Sequence, residues 1–269
     1  LGKVVSPILG AAIGLIAWYA AFIFFPLIVI PIIIGVWQLV KEPKANRAQQ
    51  KVADYLKSFA RVFKEKKSML LSSYLAGAIA LMVLFGILFY LSEFLEQQYG
   101  LDGVQKGLVL AIPVLFMSAT SFSTGFIIKK KTTLMRMLVV VGLGIMTASL
   151  IFLPLATGTI LYFMAISIVG IGTGLVLPCL NTLITSAASI KERGLITSLY
   201  GSVRFFGVAF GPPLYGFLMA KGTGMMFWSS AGLTLLGAVL AFIFLKTGQG
   251  EQERSMFVFI PSPARKPNK

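Results

Sequence analysis

Nine carboxylates, one cysteine and no histidine bound the carboxylate, thiol and imidazole chemistry open to this 269-residue chain. Without histidine there is no imidazole base, no Ser-His-Asp relay and no histidine metal ligand. Cys179 alone excludes an internal disulfide and any multi-cysteine metal site. Glu93 and Glu96 stand three apart, which puts them on one face of a helix. The other distinctive charge is Arg204, a guanidinium in the middle of an apolar run. As a functional group it would line a cavity, attract an anion or pair with a carboxylate; as a structural one it would snorkel or bond to helix carbonyls. Asn181, with Thr182, Thr185 and Ser186, adds polar atoms for a ligand or for neighbouring helices. The inventory predicts no catalytic residue, no metal and no cofactor, so not an enzyme.

The elements that carry these groups follow from composition. The chain is 57% hydrophobic and 12% charged, about half the charge of a soluble domain. It cannot cover a water-facing surface in the ordinary way, and its solvent is lipid. A bilayer core takes roughly 20 apolar residues per helix. Such runs occur at about 1–17, 21–40, 69–91, 107–128, 134–156, 159–187, 195–220 and 224–245. The fold class is therefore an all-α polytopic membrane protein with eight predicted transmembrane helices. On these boundaries no carboxylate falls inside a span, and Glu93 sits just beyond the third. Leu1 stands at the start of an apolar run, which reads as a chain that begins within a transmembrane segment.

The formal net charge is +15, and its placement decides what that means. Basic residues crowd 41–68 (Lys41, Lys44, Arg47, Lys51, Lys57, Arg61, Lys64, Lys66, Lys67), the 129–136 connection, Lys191 with Arg193, and the tail from Lys246. In an eight-span zigzag all of these share one side. The other side holds Lys106 and Lys221 beside Glu93, Glu96 and Asp102. The positive-inside rule then puts 41–68 and the C-terminus in the cytoplasm, in a multi-pass protein of the cell membrane. This accounts for the charge with no nucleic-acid partner. Within 41–68, Val52, Tyr55, Leu56, Phe59, Val62 and Phe63 recur at helical spacing, predicting an amphipathic helix on the membrane surface. Residues 246–269 read as a polar, disordered tail.

Two stretches repeat one pattern. Gly2, Ser6, Pro7 and Gly10 stand near the start; Gly207, Gly211, Pro212 and Gly216 stand in the seventh predicted span. Both read small-x3-small-Pro with a further small residue beyond. Small residues four apart let helices approach closely, and proline bends them. Internal repetition in a membrane chain points to a transporter built from repeated halves, with these Gly-Pro helices as its sliding faces. Gly170-x-Gly172-x-Gly174 lacks the strand and lysine context of a nucleotide loop and reads as helix packing.

On these residues the sequence resembles the major facilitator superfamily, specifically its drug:proton antiporter branch. The first copy is similar to that branch's antiporter motif, Gly-x3-Gly-Pro-x2-Gly-Gly, with Ser6 and Ala11 replacing glycines. Segment 41–68 looks like the family's central linker, Glu96-x2-Tyr99-Gly100-Leu101 like an outer loop, and 170–178 like its glycine-rich tenth span. The inner-loop motif would recur at Gly125, where its Asp and second Gly are absent. The resemblance implies a C-terminal fragment lacking the first four spans: 1–40 ending the N-terminal bundle, 41–68 a linker, and 69–245 a six-helix C-terminal bundle. It also implies proton-linked efflux of drugs or small amphipathic metabolites by alternating access. The proton gradient would be the coupling source, its carboxylate would come from the missing helices, and the fragment alone would be inactive. Expected partners are the lipid bilayer and a small-molecule substrate, with Arg204, Asn181 and Glu93 as substrate or interdomain candidates. The alternatives are a facilitator-fold uptake carrier for sugars or organic anions, and a non-transporting scaffold or sensor.

Overall fold

Lipid offers backbone amides no partner, so apolar runs of this length must close their hydrogen bonds internally as helices. The computed structural model describes residues 13, 19–39, 63–130, 132–156, 158–187 and 192–245. Among them are seven α-helices and no strand: α1 (Ala20–Leu39), α2 (Lys67–Tyr99), α3 (Gly103–Lys130), α4 (Met135–Phe152), α5 (Thr159–Ala187), α6 (Arg193–Met219) and α7 (Thr223–Phe244). Short 3-10 turns, Thr132–Leu134 and Leu153–Leu155, flank α4. Six of these helices are long and apolar enough to cross a membrane. The seventh, α6, has a lower hydropathy because of its glycines, prolines and Arg204. The first predicted span, Gly2, Ser6, Pro7 and Gly10, most of 41–68 and the 246–269 tail lie outside the described residues.

One boundary differs from the sequence reading. The third predicted span, 69–91, is part of a 33-residue helix that runs through Glu93 and Glu96 to Tyr99. At 1.5 Å per residue it is about 50 Å long, well beyond a ~30 Å hydrocarbon core. Leu95 keeps the helix packed past Glu93, being 1% exposed. The stop is Gly100, whose φ of +60° suits glycine and whose amide turns back to the Glu96 carbonyl at 3.0 Å.

Helices α2 to α7 pack together around buried Leu91, Leu143, Met146, Ile166, Val176, Leu180, Tyr215 and Phe227. Their ends fall into two layers. Lys66 at the start of α2 donates to the Ala187 carbonyl at the end of α5, 3.2 Å away, and Arg136 at the start of α4 donates to the Phe242 carbonyl near the end of α7. At the opposite end Lys106 pairs with Glu96 at 2.6 Å and Tyr99 bonds Thr159 at 2.6 Å. Lys66, Lys67, Lys129, Arg136 and Arg193 thus gather at one end of the bundle, called here the basic end.

Glycines set the helix contacts. Gly170 and Gly174 of α5 lie against the backbone of Pro113 and Met117 on α3, while Gly172, on another face, meets the Gly142 carbonyl of α4. Pro178 has no amide hydrogen, so the carbonyl four residues back, Gly174, loses its helical donor. Ser121 Oγ of α3 supplies one at 3.3 Å. Ser121→Ala should therefore lower the thermal unfolding midpoint of the detergent-solubilised protein, by a stability loss of about 1 kcal/mol. Ser123→Ala is the control, because that hydroxyl only folds back on the Ala119 carbonyl of its own helix. An equal loss in both would show that the Gly174 carbonyl gains nothing from Ser121.

Candidate functional site

Arg204 is the eleventh residue beyond Arg193, so it lies roughly 16 Å into α6, level with the bundle's middle on the basic side. The helix turns its Ile196, Tyr200, Gly207, Gly211 and Tyr215 face into the bundle. Arg204 stands at the edge of that face, half-buried. Its guanidinium carbon is 5.3 Å from the centres of both the Tyr200 and Phe205 rings, within range of a cation–π attraction. One Nη donates to Asn181 Oδ1 of α5 across a long 3.4 Å. Its Nε is covered yet has no hydrogen-bond partner among the described residues.

The structure thus brings together two residues singled out in the sequence, Arg204 and Asn181. Arg204 is held by ring faces and one amide oxygen, with no carboxylate bound to it among the described residues. Asn181 is exposed, three residues beyond the Pro178 bend. The arrangement is a fixed cation with spare donors, an amide and an aromatic wall: it can receive an anionic or polarised oxygen, with an apolar body against Phe205.

The hydroxyls beside Asn181 do something else. Thr182 donates to the Pro178 carbonyl at 3.0 Å and Thr185 to the Asn181 carbonyl at 2.6 Å. Both close on their own helix, and so neither reaches a neighbour as the sequence reading allowed. Glu93 is distant from this site. It lies about 18 residues, or ~27 Å, further along α2 than the level of Arg204, and accepts from Gln97 Nε2 at 2.7 Å. Glu96 turns to Lys106. The two acids are therefore separately engaged at the end opposite the basic one.

Gly207 and Gly211 face inward. A Cβ on Gly207 would strike the Ala78 carbonyl of α2, and one on Gly211 would come 2.7 Å from the Met82 carbonyl. These glycines bring α6 into close contact with α2 within the bundle, the helix packing expected of them. Pro212 and Gly216 are half-buried, and a Cβ on Gly216 would meet only Phe89 at 3.7 Å. The face of α6 left uncovered carries Phe205, Phe206, Phe210 and Phe217, each about 60% exposed. Sequence reading missed Tyr200 and Phe205 as partners of Arg204. Tyr200-x3-Arg204 was the available signal, since residues four apart are stacked on a helix.

Comparison with known proteins adds kinship to this geometry. Over 255 residues the chain is 36% identical to the bacillibactin exporter of Bacillus subtilis, covering 95% of this chain and 63% of that protein. It is 25% identical over 244 residues to the multidrug efflux protein YfmO of the same organism, covering 90% of this chain and 59% of that one. The chain spans about three-fifths of the length of these relatives. Among solved structures, a bacterial homologue of the human lysosomal transporter Spinster, inward-facing and unoccupied, shares the fold with a TM-score of 0.58. That match has 16% identity and covers 92% of this chain and 58% of the other. Residues 1–212 match the Major Facilitator Superfamily as a family. With several membrane-length helices packed as a bundle among its described residues, this chain belongs to the Major Facilitator Superfamily.

Proposed function

We propose that the full-length protein exports a small amphipathic molecule bearing an anionic group, in exchange for protons, by alternating access. Kinship to two named exporters supports the direction of transport. The single observation that carries the substrate class is Arg204, a half-buried mid-helix cation whose fork leans on Asn181 and is bound to no carboxylate among the described residues. In this reading the site opens toward the basic end, which the positive-inside rule makes cytoplasmic. Substrate enters there, and its anion meets Arg204 and Asn181 while its apolar part lies along the exposed phenylalanines of α6.

The proton step needs a group with a titratable carboxylate near mid-membrane. The chain has no histidine, and Glu93 and Glu96 sit at the far end of α2. We assign that role to four further N-terminal helices of the working transporter, which the greater length of both relatives supports. Alternating access then consists of the α2–α7 unit rocking against its partner bundle around a site near the midplane.

The test is uptake into everted membrane vesicles carrying the full-length protein, with and without an imposed proton gradient. Bacillibactin, the compound for which one relative is named, is the first to assay, beside a panel of amphipathic anions and cations. Gradient-driven uptake of anions is the expected result. Gradient-independent uptake would make the protein a facilitator, and no uptake of any compound would favour a scaffold.

A further inference from the structure

A second basic group sits on the outside of the bundle, away from Arg204. Between the start of α4 and the end of α7 lies an open cleft of about 510 Å³, lined by Thr133, Arg136, Met137, Val140, Val141 and Phe242. We propose that it holds one anionic phospholipid of the leaflet at the basic end. This inference stands independently of the transported substrate.

Three observations select that occupant. First, Arg136 is the second residue of α4, at the basic end of the bundle, where a membrane-spanning helix meets the headgroups. It donates to the Phe242 carbonyl and its guanidinium carbon lies 4.9 Å from the Phe242 ring centre. These contacts fix the fork in the cleft mouth, and its other donors meet no protein acceptor among the described residues. Second, among the described residues the neighbouring helices bring no negative charge: α3 ends with Lys129 near the start of α4, and none of α3, α4 and α7 carries an acid. A phosphate with net negative charge is attracted here, whereas the ammonium of a zwitterionic headgroup meets a repulsive field. Third, the cleft continues as apolar surface. Met137 is 62% exposed, Phe242 60% and Val141 40%, so an acyl chain has a ready wall below the phosphate. A free phosphate ion would use the first two features and not the third.

The experiment is native mass spectrometry of the purified full-length protein titrated with phosphatidylglycerol, phosphatidylethanolamine of the same chains, and inorganic phosphate. One phosphatidylglycerol should stay bound, with a preference over phosphatidylethanolamine of about tenfold, that of a charge-assisted contact. Arg136→Gln should lose most of that preference and Arg136→Lys should keep part of it. Val141→Trp, which fills the acyl wall without touching the cation, should weaken phosphatidylglycerol and leave any phosphate binding unchanged. Equal retention of the two lipids, an Arg136→Gln variant indistinguishable from wild type, or phosphate displacing the lipid at equal concentration would each overturn the proposal. Should Arg136→Gln fail to fold, the Val141→Trp and lipid-class comparisons still decide it.

Discussion

On the proposed function, replacing Arg204 with Ala in the full-length protein should weaken export of an anionic substrate about 10–100-fold and leave membrane insertion intact; Arg204→Lys should retain a fraction. The guanidinium offers a planar fork between Asn181 and the rings of Tyr200 and Phe205. Losing a charge-assisted hydrogen bond costs about 1.5–3 kcal/mol, which is roughly 10–100-fold in apparent affinity. Lysine keeps the charge but not the fork or the flat stacking surface, so its rescue is partial. Removing a mid-membrane cation should not harm folding, because that charge is itself expensive in lipid. Transport is read in everted vesicles, and insertion from the membrane-fraction level and a monodisperse elution profile. Asn181→Leu, alone and combined with Arg204→Ala, then tests coupling: residues that share one ligand give a double mutant no worse than Arg204→Ala. Wild-type export by Arg204→Ala would take the residue out of the mechanism. Normal export of neutral compounds together with loss of anions would place it in substrate choice.

What the sequence made legible was whatever depends on one helix at a time. Apolar run length marks every described helix that crosses the bundle, and the stranded position of Arg204 in such a run marks it as unusual. Glycine spacing in 170–174 announces close packing. Tertiary neighbours were not legible. Asn181 and Arg204 are 23 residues apart on different helices, and nothing in either segment says that α5 and α6 meet at that height. The same holds for Ser121, whose hydroxyl answers a carbonyl orphaned by Pro178 on another helix. The overrun of α2 past position 91 has a different reason. Glu93 and Glu96 were placed on one helix face but beyond the apolar run that set the span's end, whereas Leu91, Phe94 and Leu95 continue the packed stripe at helical spacing and hold the extra turns. Phe63, the last apolar residue of the helix predicted on the membrane surface, has its ring 6.5 Å from that of Tyr74, while Val52, Tyr55, Leu56, Phe59 and Val62 lie outside the described residues. An apolar residue in a basic segment suits either surface.

The glycines of α6 yield the other large effect, and they separate two explanations of one motif. Gly207→Ala is expected to lower sharply the recovery of folded protein, and Gly211→Ala to do so nearly as much. Gly201→Ala, in the same helix, should be neutral or slightly stabilising. On α2 and α6, which both start at the basic end, contacts advance four residues at a time in step: Ala78 with Gly207, Met82 with Gly211, Gly86 with the Tyr215 ring. The obstacles to a Cβ on Gly207 and Gly211 are backbone atoms of α2 and cannot rotate away. The helices must separate, forfeiting dispersion contacts along their length, and overpacking of this kind costs typically 1–3 kcal/mol or more. Around Gly201 there is nothing within 4 Å, so only the helix propensity gain of up to about 1 kcal/mol remains. Fluorescence-detected size exclusion after a heating series measures all three variants. Were Gly207→Ala to fold like wild type and fail only in transport, the close α2–α6 contact would be dynamic and the motif a moving surface after all. Loss of folded protein instead assigns these glycines to a static seam, and the alternating access proposed above would then fall to the phenylalanine-lined face of α6 that the seam leaves free.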